Sequence, residues 1–346
     1  MSLADVALAM KTLASTSTIL LFHAEMETQV ATATLKGSNE HSKEVTELAK
    51  TYDMFLASRP PAFETTAITE IIKLASIAPD LRLHIVHLSA HEALPILRSA
   101  RQDGVNITAE TCFHYLALAS EEIGAGDTRH KCCPPIRSKE NKLKLWDELA
   151  REDSVIQTVV SDHSPCTPEL KLLPAHLERH TSKNGTSDAK EIESGEDKNT
   201  SKGNFFKAWG GVASVGLGLP ILWTTINSLD LMETIKITDI VTWCCENTSK
   251  QVGLQHRKGT LRAGFDADIC VFDDESSYII EETHLLFRNK VTPYEGKMLK
   301  GMVKETYLRG QKIFARESGG IDESQVPMGE LLLDKLVVDK VKKNEW

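Results

Sequence analysis

The sequence lacks the features that mark membrane, secreted and disulfide-bonded proteins. No apolar run in its 346 residues reaches the roughly 18 that a membrane-spanning helix needs. The first residues carry Asp5 before any lysine and no cleavage-like site, which argues against a signal peptide. The seven cysteines are odd in number and have no Cys-x-x-Cys spacing, which favours neither a zinc knuckle nor a disulfide framework. We therefore expect reduced thiols and a cytoplasmic location.

The chain also lacks an excess of positive charge. Its 49 acidic and 40 basic side chains give a formal net charge of −9 at pH 7. A negative surface repels the phosphates of nucleic acids and of anionic membranes, so neither is expected as a partner. The hydrophobic fraction of 41% is enough for a sizeable core, and the length suggests about two domains.

Three short apolar runs each lead to a side chain that is able to bind metal. These runs and side chains are 18–22 with His23, 83–86 with His87, and 155–160 with Asp162. Because side chains alternate along a strand, each of the three is predicted to share a face with branched apolar residues, whereas His84 and His163 point the other way. Catalytic residues of (β/α)8 barrels lie at such carboxyl ends. The alternative is two hydrogen-bonded core histidines; the alignment of all three side chains favours a site.

The remaining pattern alternates between helix and strand. Ser2 is predicted to cap a first helix, and Ser138 is predicted to cap a helix that leads into the strand at 155–162. Further helices are predicted at 42–57, 63–77 and 91–102, and further strands at 18–23, 83–88 and 105–111. Strands that alternate with crossover helices predict an α/β protein with a parallel sheet.

The part of the chain after Asp162 no longer shows the regular alternation of helix and strand. Residues 176–203 hold few apolar side chains among Lys, Glu, Asp, Ser, Thr and Asn, so this segment is predicted to be disordered. After it, the pattern predicts a Gly-rich loop, a helix at 236–252, short strands at 267–272 and 302–315 with turns at Gly264 and Gly310, and a terminal helix at 331–343.

Eight strings follow one another in a fixed order along the chain. They are HAE at 23–25, HIVHLS at 84–89, ETCFHYL at 110–116, KCCPPIR at 131–137, SDHSPCTPELK at 161–171, WGGVASVGLGLP at 209–220, VTWCCENTS at 241–249 and KGTLRAGFDAD at 258–268. In this order they resemble the allantoinases of the amidohydrolase superfamily, most of all those of fungal type. The resemblance covers nearly the whole chain apart from 176–203. The string at 161–171 separates allantoinases fairly well from dihydropyrimidinases and dihydroorotases, which share the barrel but vary this loop.

The resemblance implies a binuclear zinc centre in a (β/α)8 barrel. Such a centre uses a His-x-His pair after the first strand, a carboxylated lysine after the fourth, one histidine after each of the fifth and sixth, and an aspartate after the eighth. On this pattern His23, His87 and Asp162 are metal ligands. None of the twelve histidines lies in a His-x-His pair, and the lysine has no counterpart. We therefore expect at most one metal site to be complete, and little or no activity from this chain alone.

The same resemblance implies a partial barrel. The chain is expected to lack the amino-terminal part of an allantoinase and to supply the equivalents of strands five to eight. The barrel part is expected at 1–253, with 176–203 as an insertion, and a small β-rich domain with a terminal helix at 254–346.

The implied reaction is the hydrolysis of allantoin, a small cyclic amide, to allantoate. Asp162 is the expected catalytic residue, because a carboxylate at that place accepts a proton from the attacking hydroxide and delivers it to the departing ring nitrogen. Ser164, through its hydroxyl and amide, Cys133, through its backbone, and His114 are the expected substrate contacts. Simple packing is an equal alternative for His114.

Other reactive side chains carry weaker expectations. For Arg137, a surface ion pair is at least as favoured as a contact to substrate. Cys166 has no histidine partner for a nucleophilic role apart from His163, which is expected to face away. The adjacent pairs Cys132–Cys133 and Cys244–Cys245 are expected to be buried apolar fillers.

Two other functions stay open at this point. One is a non-catalytic amidohydrolase remnant that acts in protein assembly. The other is a different cyclic amidohydrolase, such as a dihydropyrimidinase. For the intact family member a homo-oligomer is expected.

Overall fold

The computed structural model describes residues 2–27, 43–178, 201–321, 324 and 326–332. These residues form two four-stranded sheets. The first sheet is parallel and has the order β1-β2-β3-β4, with β1 at Ile19–Phe22, β2 at Arg82–Ile85, β3 at Ile107–Cys112 and β4 at Ile156–Val160. The second is antiparallel and has the order β5-β6-β7-β8, with β5 at Ile269–Ile279, β6 at Met298–Leu308, β7 at Gln311–Ala315 and β8 at Gly320–Ile321. The predicted α/β class with a parallel sheet is confirmed.

Helices connect the strands of the parallel sheet and continue after it. They are α1 at Leu3–Leu13, α2 at Lys43–Leu48, α3 at Tyr52–Ala57, α4 at Ala62–Leu74, α5 at Leu94–Gln102, α6 at Phe113–Ala117, α7 at Lys139–Leu149, α8 at Gly218–Ser228, α9 at Ile237–Val241 and α10 at Asn247–Gln251. A π-helical turn at Thr242–Glu246 joins α9 and α10 into one continuous helix. None of the helices in the described ranges is both long and apolar enough to cross a bilayer.

Both predicted helix caps are present. The hydroxyl of Ser2 accepts a hydrogen bond from the amide of Asp5, whose carboxylate accepts one from the amide of Ser2 in return. The hydroxyl of Ser138 accepts from the amide of Asn141 at 3.2 Å. Each bond satisfies an amide that the first turn of a helix leaves without an intrahelical partner.

Several predicted elements differ in detail from the observed ones. The helix predicted at 42–57 is divided, because the hydroxyl of Thr51 accepts from the amide of Met54 and starts a second helix. Within 302–315 the predicted turn at Gly310 is confirmed, because this residue has a φ of 81° and separates β6 from β7. Helix α8 was predicted as loop because glycines surround it. Most of the predicted disordered segment and nearly all of the terminal helix lie outside the described residues.

The core of the molecule lies between the parallel sheet and its helices. Side chains that are buried almost completely come from the sheet and from the helices on its outer side: Met10, Ile68, Leu83, Ile85, Leu97, Ile107, Leu145 and Trp146. Burying each such side chain contributes about 1.5–3 kcal/mol. The antiparallel sheet joins this body through α8, where the Trp223 indole donates to the carbonyl of Asp274 at 3.0 Å.

The register of the parallel sheet corrects one prediction from alternation. Leu21 pairs with His84, and His84 pairs with Thr108, so their side chains lie on one face. His84 therefore lies on the face that alternation assigns to His23, not on the opposite one. The prediction failed because it extended the alternation to His87. Strand β2 ends at Ile85, and His87 itself has a φ of 41°, which is not strand geometry.

A close contact at the start of α8 gives a first prediction. In Gly218→Ala, the added Cβ would lie 2.1 Å from Cε2 of Phe113. Because a buried ring has little room to move, the free energy of unfolding should fall by about 1–3 kcal/mol. The control is Gly124→Ala, where no atom lies within 4 Å of the added Cβ; its effect should stay within about 0.5 kcal/mol. Equal urea midpoints for the two variants would contradict the packing described here.

Candidate active site

The carboxyl ends of the parallel strands meet at one edge of the sheet and bring metal-capable side chains together. His23 directly follows β1, and its ring centroid lies 4.5 Å from that of His87, with the rings edge to face. Cys112 ends β3 and pairs with Val160 at the end of β4. Asp162 lies two residues beyond that pair. The strand ends thus deliver two imidazoles, a thiol and a carboxylate to one rim.

Two of these residues have an unusual backbone. His87 and Asp162 have φ values of 41° and 43°, in the left-handed region that residues with a Cβ seldom adopt. Such a conformation costs roughly 1–2 kcal/mol. Strained residues of this kind cluster at functional sites, where the surrounding structure fixes them. Each of these residues lies two positions past the end of its strand, β2 or β4.

Glu25 controls the state of His23. Nε2 of His23 lies 2.9 Å from Oε2 of the buried Glu25 carboxylate. This hydrogen bond raises the pKa of His23 above its ordinary value, against the opposing effect of burial. Burial raises the pKa of Glu25, but the bond to His23 and the charge of Arg59, 3.5 Å away, lower it on balance. Glu25 was not singled out from the sequence, although its place two residues after His23 was the available signal.

His87 is held as a neutral imidazole. Burial, and then the charge of His23, lower its pKa to about 4. Its Nδ1 is buried and has no hydrogen-bond partner in the described part of the chain. A buried nitrogen without a partner costs about 1–3 kcal/mol, so such atoms call for an explanation. A neutral ring with a free lone pair is the form that binds metal.

Asp162 lies with residues other than the two histidines. Its carboxylate, Sγ of Cys112 and a ring nitrogen of His114 all lie within 4.8 Å of one another. Desolvation raises the pKa of Asp162, and the charge of Glu110 raises it further. The charge of Asp162 also acts on His23. The set of His23, His87 and Asp162 as ligands stays a prediction.

The predicted substrate contacts differ in their surroundings. His114 is fully buried, and both of its ring nitrogens lack a hydrogen-bond partner within the described ranges. Burial lowers its pKa to about 3, so the ring is neutral. Cys133 is half-buried, and burial raises the pKa of its thiol. The Ser164 hydroxyl donates to the carbonyl of Asp162 at 3.2 Å.

One part of the Ser164 prediction is wrong. Its amide donates to the carbonyl of Val212 at 3.0 Å, within a parallel bridge between His163 and Val212. The amide is therefore engaged and does not offer itself to a substrate. The hydroxyl can still do so, because rotation about its bond is free.

The surface ion pair predicted for Arg137 is wrong in its location. Instead of a surface ion pair, Arg137 forms a buried one, with Nη2 lying 2.7 Å from Oε1 of Glu64. The other Glu64 oxygen accepts from the amides of Ser89 and Ala90 at 2.8 and 3.1 Å. This carboxylate on α4 thus ties together the loop that follows His87 and the loop at 131–137.

Two buried lysines hold a loop beside the rim. Nζ of Lys131 donates to the carbonyls of Phe206 and Ala208 at 3.0 and 2.5 Å. Nζ of Lys171 donates to the carbonyls of Trp209 and Gly211 at 3.1 and 2.5 Å. Burial lowers the pKa of both amines, that of Lys171 to about 8. Sequence reasoning missed these roles, because the partners are backbone atoms far along the chain.

The remaining histidines and cysteines are secondary to the site. His84 hydrogen-bonds to Thr108 and Glu110, and His163 accepts from two amides through Nδ1. All seven cysteines are free, and Cys245 is exposed, so the expectation of a buried filler is wrong there. Burial raises the pKa of the Cys166 thiol, which weakens any nucleophilic role further.

Comparison with known sequences gives a consistent result. The model of the Amidohydrolase family matches residues 3–313. The chain is 43% identical over 328 residues to the allantoinase of Saccharomyces cerevisiae, which covers 94% of this chain and 61% of that protein. It is 37% identical over 322 residues to a probable allantoinase 2 of Dictyostelium discoideum, covering 93% and 56%. The chain thus spans about three fifths of the length of these relatives.

Solved structures of hydantoinases and dihydropyrimidinases have a fold similar to that of this chain. An L-hydantoinase (dihydropyrimidinase) from Arthrobacter aurescens superposes with a TM-score of 0.70 at 23% identity, over 90% of this chain and 60% of that one. A dihydropyrimidinase from Brevibacillus agri superposes with a TM-score of 0.65 at 26% identity, over 85% and 56%. These likenesses support a fold of the TIM-barrel type.

The buried ion pair between Glu64 and Arg137 gives a second prediction. Glu64→Gln leaves the Arg137 guanidinium buried without its counter-charge, which should lower the free energy of unfolding by about 3–5 kcal/mol. The control on the same helix is Glu70→Gln, which breaks an exposed pair with Lys73 and should cost about 0.2–1 kcal/mol. Urea unfolding of both variants measures the difference. A Glu64 variant as stable as the control would contradict the buried pairing.

Lys171 gives a third prediction, on pH. The folded chain should lose the Lys171 proton near pH 8, whereas an unfolded lysine keeps it to about pH 10.4. Between these values the unfolded state binds more protons, so stability rises with pH. The stability of the wild type relative to Lys171→Met should therefore increase across this window, by about 1.4 kcal/mol per pKa unit. Lys11→Met is the control for the loss of an exposed lysine. A difference that falls with pH would contradict the assignment.

Proposed function

Because the chain belongs to the amidohydrolase family, we propose that it is the catalytic-rim part of an allantoinase, which hydrolyses allantoin to allantoate. The observation that carries the proposal is the contact between the His23 and His87 rings, whose centroids lie 4.5 Å apart just past two neighbouring strands. The charge of Asp162, which follows β4, acts on His23. The 43% identity to an allantoinase supports this substrate over other cyclic amides. Hydantoinases and dihydropyrimidinases are like this chain in fold, at 23–26% identity.

We further propose that β1 to β4 correspond to strands five to eight of a (β/α)8 barrel. Within the described ranges β1 pairs only with β2, and β4 only with β3. An open edge of this kind pairs readily with further strands, and Leu21 on β1 is 52% exposed. On this proposal 1–253 form the barrel part and 254–346 the small domain. A cytosolic homo-oligomer is the corresponding proposal for the intact protein.

The chemistry of the three proposed ligands suits a zinc ion. Two imidazoles and one carboxylate form a common ligand set for Zn²⁺ with one open position, and the unpartnered Nδ1 of His87 is a ready donor. When bound, such an ion lowers the pKa of its water and polarises the carbonyl under attack. The 346 residues contain no His-x-His pair for a second ion. His23, His87 and Asp162 are therefore proposed to hold one ion.

Asp162 is proposed as the group that moves the proton. Its pKa is raised by desolvation and then by Glu110, which brings its proton affinity closer to what general acid–base chemistry needs near neutral pH. The carboxylate accepts a proton from the attacking water and delivers it to the ring nitrogen as the amide bond breaks. Glu25 orients the His23 ring through its bond to Nε2. The Ser164 hydroxyl, the Cys133 backbone and His114 are proposed to contact the substrate.

A chimera tests the proposed function. It joins the part of the Saccharomyces cerevisiae allantoinase that this chain does not match to residue 1 of this chain. The chimera should load zinc and convert allantoin to allantoate in preference to hydantoin and dihydrouracil, whereas the 346-residue chain alone should convert little or none. Asp162→Asn in the chimera should lower the rate by about 10²–10⁴-fold. The control is Asp153→Asn, at an exposed aspartate before β4.

The substrate comparison separates the alternatives. A folded, zinc-loaded chimera that prefers dihydrouracil or hydantoin indicates a different cyclic amidohydrolase. One that turns over none of the three indicates a non-catalytic protein. Full activity of the unextended chain would contradict the view that its metal centre is incomplete.

A further inference from the structure

A second group of metal-capable atoms lies beside the two histidines. Sγ of Cys112, a ring nitrogen of His114 and a carboxylate oxygen of Asp162 all lie within 4.8 Å of one another. The strand ends of the family pattern assign metal ligands to β1, β2 and β4, whereas Cys112 and His114 come from the end of β3 and from α6. Only Asp162 belongs to both sets.

Local structure explains why these side chains meet. Cys112 is the last residue of β3 and the N-cap of α6, and His114 is the second residue of that helix. Cys112 pairs with Val160 across the sheet, so Asp162 emerges beside it. The tight change from strand to helix keeps the thiol and the imidazole on neighbouring positions of the same turn.

The surroundings of His114 point to a missing partner. The ring is fully buried, and neither nitrogen meets a hydrogen-bond partner among the described residues. Buried polar atoms without a partner are rare in folded proteins and call for an explanation. The neighbouring ring of Tyr115, 4.2 Å away between centroids, offers its hydroxyl elsewhere, to the carbonyl of Pro134. The Cys112 thiol and the Asp162 carboxylate both lie within 4.8 Å of a nitrogen of this ring.

We propose that Cys112, His114 and Asp162 bind one zinc ion, or a similar divalent cation that favours sulfur, at a site separate from the His23–His87 pair. A thiolate, an imidazole and a carboxylate are all zinc ligands, and sulfur selects such metals over magnesium or calcium. Binding replaces the thiol proton of Cys112 with the metal–sulfur bond and releases that proton to solvent. Bond lengths of about 2.0–2.3 Å place ligand atoms roughly 3.5 Å apart, so side-chain shifts of about 1 Å close the site.

The Asp162 carboxylate belongs to both proposed metal sites, so the two sites compete for it. An ion at Cys112 and His114 takes the Asp162 carboxylate away from the His23–His87 pair, where the proposed reaction needs it. The site is thus inhibitory in an active enzyme, a statement that rests on the proposed function. Metal binding itself does not rest on it and can be measured on this chain alone.

Cobalt titration of the purified 346-residue chain tests the site. After the chain is stripped with a chelator, added Co²⁺ should produce the near-ultraviolet charge-transfer band of a cobalt–thiolate bond. Cys112→Ser should abolish the band, and His114→Ala should weaken the affinity by more than the roughly 10–100-fold that loss of an outer-shell partner causes. The band should persist in the double variant His23→Ala, His87→Ala. Cys166→Ser is the control for a nearby thiol and should keep the band.

A second measurement avoids the risk that a core variant fails to fold. X-ray absorption of the zinc-loaded wild type should show one sulfur at about 2.3 Å among nitrogen and oxygen ligands at about 2.0–2.2 Å. Nitrogen and oxygen ligands alone, or a charge-transfer band that Cys166→Ser removes, would overturn the proposal. Loss of the band in the double histidine variant would show that the sulfur-bound metal depends on His23 or His87, which would overturn a separate site.

Discussion

The parallel register of four strands is the constraint on which the site depends. Backbone pairing of β1, β2, β3 and β4 brings their carboxyl ends to one edge, whatever side chains they carry. His23 lies against His87, and Cys112 lies near Asp162, because each of these residues follows or ends one of the strands. At two of the four positions a left-handed residue turns the chain at the rim, and its conformational cost is borne by the packing beneath. The register of the sheet therefore determines which side chains lie near one another at the rim.

Loops rather than strands complete the rim, and buried charges hold the loops. The Glu64 carboxylate links α4 to the loop after His87 and, through Arg137, to the loop that carries Cys133. Lys131 and Lys171 bind backbone carbonyls of the loop at 206–211. Each of these groups makes several hydrogen bonds, which offsets the cost of removing its charge from water. These contacts hold the loops at several points beside the strand ends.

The sequence predicted the strands well because its short apolar runs end in ionisable residues and are separated by amphipathic helices. It also predicted the caps at Ser2 and Ser138, since capping is a local interaction. It failed where the answer depends on distant parts of the chain. The face on which His84 lies depends on the register between strands, which alternation within one strand does not give. Arg137 is buried because it pairs with Glu64, and the Ser164 amide is engaged by the carbonyl of Val212, and both partners are far away in sequence. Cys112 drew no attention, because a thiol in an apolar strand resembles core packing until a histidine and a carboxylate are seen beside it.

The direct test of this account is anomalous diffraction at the zinc edge from crystals of the chain grown with zinc. The account predicts a peak about 2 Å from the Asp162 carboxylate, at the rim formed by the ends of the parallel strands. A structure in which zinc binds only elsewhere, away from the Asp162 carboxylate, would contradict it.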